Sequence, residues 1–245
     1  MHIPMAIRTN MITATAARMV DRSALFRLMT WMSPAYPVGA YTYSQGLEWA
    51  VEDGTVTDTE SLDDWLTQVL RHGTGHTDAI LFRHAHEAAA AGDLDGLLDV
   101  ADLAAAFQPS SERRLEALAQ GRAFALATLP AFSSPMLAKL EAARPDALAY
   151  TVTVAVAAAD QKIAVEDALA AFLHGVAANL VSAGVRLIPL GQSAGLKVLT
   201  ALEPVMTEVA DATRSLSLDE LGGATVIADI ASMRHETQYT RLFRS

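Results

Sequence analysis

Apolar residues in this 245-residue chain recur at helical spacing along most of its length and almost never alternate. Leu62, Trp65, Leu66, Val69 and Leu70 form one stripe, and Leu115, Leu118, Phe124 and Leu126 mark another helix-like segment. Such spacing puts apolar side chains on one face of a helix and leaves no alternating row for a half-buried strand. Helix starts are signalled by Thr57 with Glu60 in capping-box spacing, and by Ser110 or Ser111 ahead of a charged turn. Gly54, Gly92, Pro130 and Pro145 separate the periodic segments. Two stretches look strand-like, AYTVTVAVAAA (149–159) and VRLIPL (185–190). The first is alanine-rich and runs on into helix-like sequence, so it reads as a buried helix. The expectation is an all-α fold, one compact domain of about ten helices whose small residues let axes approach closely.

Composition narrows the chemistry. There is no cysteine, so disulfides, thiolate metal sites and cysteine nucleophiles are excluded. A formal net charge of −10 argues against nucleic acid, whose binders need a concentrated basic face. The longest stretch free of Asp, Glu, Lys and Arg, 168–185, could span a bilayer by length, but it is alanine-rich and holds His174, Asn179 and Ser182. It reads as a core helix, not a membrane span. Residues 1–20 superficially resemble a transit peptide and read better as a mobile tail; 21–232 form the helical domain. The final segment 233–245, MRHETQYTRLFRS, holds three arginines against one glutamate and no helical stripe, and reads as a flexible, basic, aromatic extension.

Several segments imitate catalytic motifs. GQSAG (191–195) matches the G-x-S-x-G nucleophile elbow, and Asp211, Asp219 or Asp229 followed by His235 supply a triad order. That turn needs a parallel sheet upstream, the chain offers helices there, and Pro189 would interrupt the strand. A serine hydrolase using Ser193 and His235 is therefore the alternative reading, not the preferred one. The same segment fails the phosphate-loop pattern. Four of the seven histidines cluster at His72, His76, His84 and His86. His72 and His76 have ligand spacing if helical, yet two glycines intervene, and His84 and His86 diverge on a helix. They read as solvated or helix-terminal residues, with a weak transition-metal site as the alternative. Asp63/Asp64, Glu166/Asp167 and Asp93, Asp95 and Asp99 read as acids near helix starts.

The stretch SPAYPVGAYTYSQGLEWAVEDG (33–54) combines two prolines, three glycines and three tyrosines. Pro34 should end the preceding helix, Pro37 and Gly39 should set a turn, and Thr42 with Gln45, or Ser44, should cap the next helix. On that helix Leu47 and Val51 face inward, with Trp49 alongside, and Gly46 permits close backbone approach. Tyr36, Tyr41 and Tyr43 pair apolar area with hydroxyls, a combination suited to a protein partner.

SPAYPVGAYTYSQGLEWAVE, AGVRLIPLGQSAGLKVL and HETQYTRLFRS each resemble a signature of the UreF family of urease accessory proteins, with the likeness running from about Ser23 to Ser245. The resemblance implies an all-α, homodimeric, cytoplasmic protein without catalytic centre, cofactor or metal site of its own. It implies partners: the accessory protein UreD (also called UreH), the GTPase UreG and apo-urease, in GTP-dependent nickel insertion. Carried over by motif, Pro37, Gly39, Tyr41, Tyr43, Ser44, Gly46 and Glu48 would shape a partner-binding surface. Arg186 and Gln192 belong to the second signature. Gln238, Tyr239, Arg241, Leu242, Phe243 and Arg244 would form a tail ordered on UreD, with Thr240 standing where the resemblance expects serine. The histidine cluster lies outside the pattern.

Overall fold

The computed structural model describes residues 21–245, and the tail expected at 1–20 lies outside them. The chain runs through α1 (Arg22–Trp31), α2 (Leu47–Glu52), α3 (Thr59–His72), α4 (Thr74–Ala91), α5 (Leu94–Ala106) and α6 (Ser111–Thr128). It continues through α7 (Pro135–Ala143), α8 (Tyr150–Asp160), α9 (Val165–Leu187), α10 (Gln192–Ala201), α11 (Glu203–Ala212) and α12 (Val226–His235). Single 3-10 turns at Ala40–Thr42 and Leu218–Glu220 complete the order, and no strand occurs among the described residues. The architecture is all-α, with twelve α-helices among the described residues where the periodicity suggested about ten. The increase comes from breaks inside periodic stretches, of which Gly73 between α3 and α4 is one.

The centre is α8. Residues 151–159 are all buried, surrounded by α4, α6, α7 and α9. The strand-like stretch is thus a helix: its alanines keep the helix thin enough to be packed on every side. One neighbour approaches closely because Gly121 of α6 has no Cβ, which would otherwise sit 1.9 Å from the Leu148 carbonyl. From VRLIPL, Val185–Leu187 finish α9 and Ile188 follows in an extended conformation, and the stretch forms no strand. The most apolar window of α9 is half buried, and the helix packs on α2, α4, α8, α10 and α11 as a core element. A relay of rings crosses the core, Trp31–Phe124 at 5.8 Å, Phe124–Tyr150 at 5.9 Å, Tyr150–Phe172 at 5.7 Å and Phe172–Phe82 at 5.2 Å. Each such pair contributes about 0.5–1.5 kcal/mol beyond burial.

Caps place the elements. Ser110 accepts from the Arg113 N–H at 3.2 Å and starts α6. For α3 the cap is Asp58 in a reciprocal box with Ser61, a correction to Thr57/Glu60, because the Asp58 carboxylate reaches the Ser61 N–H at 2.9 Å. The α2 cap is also corrected: Gly46, at φ +82°, precedes Leu47, while Ser44 Oγ accepts from the Glu48 N–H at 3.3 Å. Leu47 is buried, with Val51 and Trp49 half-buried.

Candidate partner-binding site

The three segments singled out in the sequence meet on one side of the domain. Gly39, at φ +72°, turns the chain into the 3-10 turn Ala40–Thr42, and Tyr43 and Ser44 then run inward. Gly46 lets α2 lie against α12: a Cβ there would stand 2.6 Å from the Ser232 backbone nitrogen. That contact brings Glu48, 5% exposed, beneath the end of the chain.

Glu48 organises the site. One carboxylate oxygen accepts the Leu242 N–H at 2.6 Å; the other accepts the Phe243 N–H at 3.0 Å and lies 2.9 Å from His235 Nε2. The other face of the imidazole, Nδ1, is 2.6 Å from Glu112 of α6, whose second oxygen takes Arg241 Nη1 at 2.6 Å. Further along, the Ser44 N–H donates to the Ser245 carbonyl at 2.6 Å, and Ser44 Oγ donates to that same oxygen. Ser245 Oγ donates to Glu116 at 2.8 Å, and Glu116 also pairs with Arg113 and with Gln45 and Gln120 amides. The Arg244 N–H donates to the Thr42 carbonyl at 2.8 Å. Arg186 closes the arrangement, donating to the Tyr41 carbonyl at 2.8 Å with its guanidinium 4.4 Å above the Phe243 ring. Burial raises the Tyr43 phenol pKa, with nearby Arg244 opposing.

The extension expected to be flexible is therefore seated on its own domain. Phe243 and Ser245 are buried, and the boundary expected at Met233 falls inside α12. The physical reason is that buried carboxylates satisfy the segment's amides, offsetting the roughly 1–2 kcal/mol per residue lost on ordering a backbone. Tyr43, Ser44, Gly46 and Glu48 are buried rather than displayed, whereas Pro37 and Tyr41 are exposed. Gln192 stands exposed in the first turn of α10 and takes no part in the network. Gln238 donates to the Thr240 carbonyl at 3.0 Å; Tyr239, Leu242 and Arg244 face solvent. Glu112, Glu116 and Arg113 were missed, since an acid–base mixture on α6 looks the same whether solvated or buried.

On α12 the apolar side chains of Val226, Ile227, Ile230 and Met233 are exposed, and beyond the helix those of Tyr239 and Leu242 are exposed as well. Arg234 and Arg241 accompany them.

The hydrolase reading fails on geometry. Ser193 is exposed in the first turn of α10, both His235 nitrogens face carboxylates, and no parallel sheet supports a nucleophile elbow among the described residues. The histidine cluster disperses: Gly73 puts His72 and His76 on different helices, and His84 and His86 bond the Leu216 and Ile163 carbonyls at 2.9 and 2.8 Å. Burial lowers the pKa of His86, and His76 is shifted down by the same cause. His84 and His86 are thus packed structural residues, not solvated ones. Among the described residues no group of three or more His, Asp or Glu side chains is placed to hold a metal ion.

Known proteins resemble the chain throughout. The family model described as UreF matches residues 56–203. The chain is 53% identical over 234 residues to the urease accessory protein UreF of Rhodopseudomonas palustris strain BisB5, covering 95% of this chain and 96% of that one. It is 53% identical over 226 residues to the UreF of Bradyrhizobium sp. strain BTAi1, covering 92% and 94%. With the UreF of R. palustris strain BisB18 the identity is 48% over 243 residues, covering 98% and 100%.

Proposed function

This chain belongs to the UreF family of urease accessory proteins, and on that footing we propose that it is a cytoplasmic, homodimeric scaffold that holds UreD (UreH) and the GTPase UreG on apo-urease. In this reading it acts during GTP-dependent nickel insertion and makes or breaks no covalent bond. The observation that carries it is the set of exposed apolar side chains at this end of the chain, Val226, Ile227, Ile230 and Met233 on α12 and Tyr239 and Leu242 on the anchored, arginine-bearing segment after it. Exposed apolar side chains on a fixed frame, with Arg234, Arg241 and Arg244 nearby, suit a protein interface: the aromatic and aliphatic groups fill pockets and the arginines orient. Residues 233–245 are the partner-binding part of the chain and UreD is the partner. Because order is already present before docking, binding does not have to meet the full entropy of folding the segment. Pro37, Tyr41 and Gln192 are further exposed candidates, while Ser44, Gly46, Glu48, Arg186 and Phe243 position the segment from beneath.

The test separates docking from folding. A Tyr239→Ala/Leu242→Asp double variant should lose UreD in a pull-down by at least ~100-fold in affinity, the scale of two interface anchors. Its thermal midpoint should stay within about 2 °C of the parent, because both side chains are exposed. Undiminished UreD capture would refute the assignment of this surface.

A further inference from the structure

Four stretches far apart in sequence border one small cavity of about 20 Å³: Gln45 just ahead of α2, Thr74 opening α4, Arg113 in the first turn of α6 and Asp229 in the first turn of α12. Three of these residues bring to it a buried polar atom with no hydrogen-bond partner among the described residues, Gln45 Oε1, Thr74 Oγ1 and Arg113 Nε. Such atoms are rare in a folded chain, and three around one cavity call for a shared partner. Their neighbours settle what each can do. The Gln45 amide nitrogen donates to Glu116 at 3.1 Å, so the atom left over is the oxygen, which only accepts. Arg113 Nη1 is already paired with Glu116, and Nε–H only donates. The Thr74 hydroxyl rotates and can donate. Asp229 adds carboxylate oxygens as further acceptors; burial raises its pKa, with Arg113 opposing.

We propose that this cavity is a binding site for one structural water molecule, which accepts from Arg113 Nε–H and the Thr74 hydroxyl and donates to Gln45 Oε1 and the Asp229 carboxylate. Two donors facing two acceptors match the full hydrogen-bonding capacity of water. A cation has no lone pair for Arg113 Nε–H, and a chloride has no proton for Gln45 Oε1 and is repelled by Asp229. Size agrees with chemistry. One water needs about 10–15 Å³ and two to four polar partners, and this cavity offers a little more than that volume with four partners. Larger ligands do not fit. The bound water ties the first turn of α12 to α4, to α6 and to the chain ahead of α2, so it fixes the base of the helix that exposes Val226, Ile230 and Met233. This assignment goes beyond the scaffold reading and does not depend on it.

A crystal structure of the full chain that shows ordered solvent tests this directly. One density peak should stand within about 3.2 Å of at least three of the four atoms. No peak, a peak that refines as a cation or chloride, or ordered solvent confined to the larger cavity that Gln45 and Arg113 also border would overturn the assignment. The sign of one substitution gives a second measurement in solution. Thr74→Val keeps the side-chain shape and removes the hydroxyl. If that hydroxyl bonds a water, its loss should lower the thermal midpoint by about 2–4 °C. If the hydroxyl is buried without a partner, the apolar replacement should raise the midpoint instead, because an unpaired polar group is removed from the interior. A Thr74→Val protein that melts at or above the parent temperature therefore refutes the water site. A crystal of the variant should keep the peak on its three remaining partners.

Discussion

A buried carboxylate has to be occupied, and the chain answers that requirement in two ways. Glu48 and Glu116 are occupied by hydrogen-bond donors from distant parts of the sequence, so their desolvation is repaid by charge-assisted bonds. Asp78 is treated differently. It lies in the wall shared by a cavity of about 390 Å³ and an outer groove, and desolvation raises its pKa from 3.8 to about 6, opposed by Arg113 and by a Thr151 hydrogen bond. Between pH 3.8 and about 6 the folded chain keeps a proton at Asp78 that the unfolded chain has lost, so stability falls as pH rises through that window and remains lower above it. Asp78→Asn removes the titration. Relative to the parent, the variant should gain stability progressively across the window and hold about 1–2 kcal/mol above it, less than full burial would give because the cavities bring water to the group. Urea unfolding at pH 4 and pH 7 checks this, and an equal difference at both values would exclude the linkage. No sequence signal marks Asp78, which follows Thr77 in the second turn of α4 and looks like any acid near a helix start.

Among the elements, those governed by local rules were legible and those governed by distant partners were not. The helix α8, Tyr150–Asp160, was readable from the stretch 149–159 because alanine and helix-like continuation outweigh a β-branched run. The Ser110 cap and the close approach at Gly46 were readable for the same reason: cap chemistry and a missing Cβ are properties of a few adjacent residues. The C-terminal segment was misread as free, since its anchors lie on α2 and α6 and the Ser44–Ser245 contact joins residues 201 apart. Its motif could be recognised, but the burial of Glu48 beneath it could not. That dependence on one carboxylate is measurable. In Glu48→Gln one oxygen becomes an amide nitrogen, which cannot accept from the Leu242 or Phe243 N–H or face His235 as before. Exchange of the 242–244 amides should quicken about a hundredfold, corresponding to about 3 kcal/mol of local stability, while α8 amides keep their protection. Unaltered exchange at Leu242 and Phe243 would mean that Glu48 does not hold the segment.

Across the whole molecule, the end of the chain carries two opposed duties in neighbouring residues. Phe243 belongs to the main hydrophobic core and lies under the Arg186 guanidinium, so it joins the segment to α9; Leu242, one residue earlier, projects into solvent. Two adjacent side chains thus have opposite environments, Phe243 buried and Leu242 exposed. The proposed scaffold role would benefit from it: a surface offered to a partner would be fixed by the same fold whose stability it must not compromise. Single substitutions should therefore separate the duties. Phe243→Ala should cost about 2–4 kcal/mol through lost burial and a residual cavity, lowering the thermal midpoint by about 5–15 °C in a domain of this size. Leu242→Ala should leave the midpoint within about 2 °C and weaken UreD capture. Calorimetry and pull-down on the same two preparations decide the matter: a Leu242→Ala protein that melts early but still captures UreD would assign both neighbours to the core and remove Leu242 from the interface.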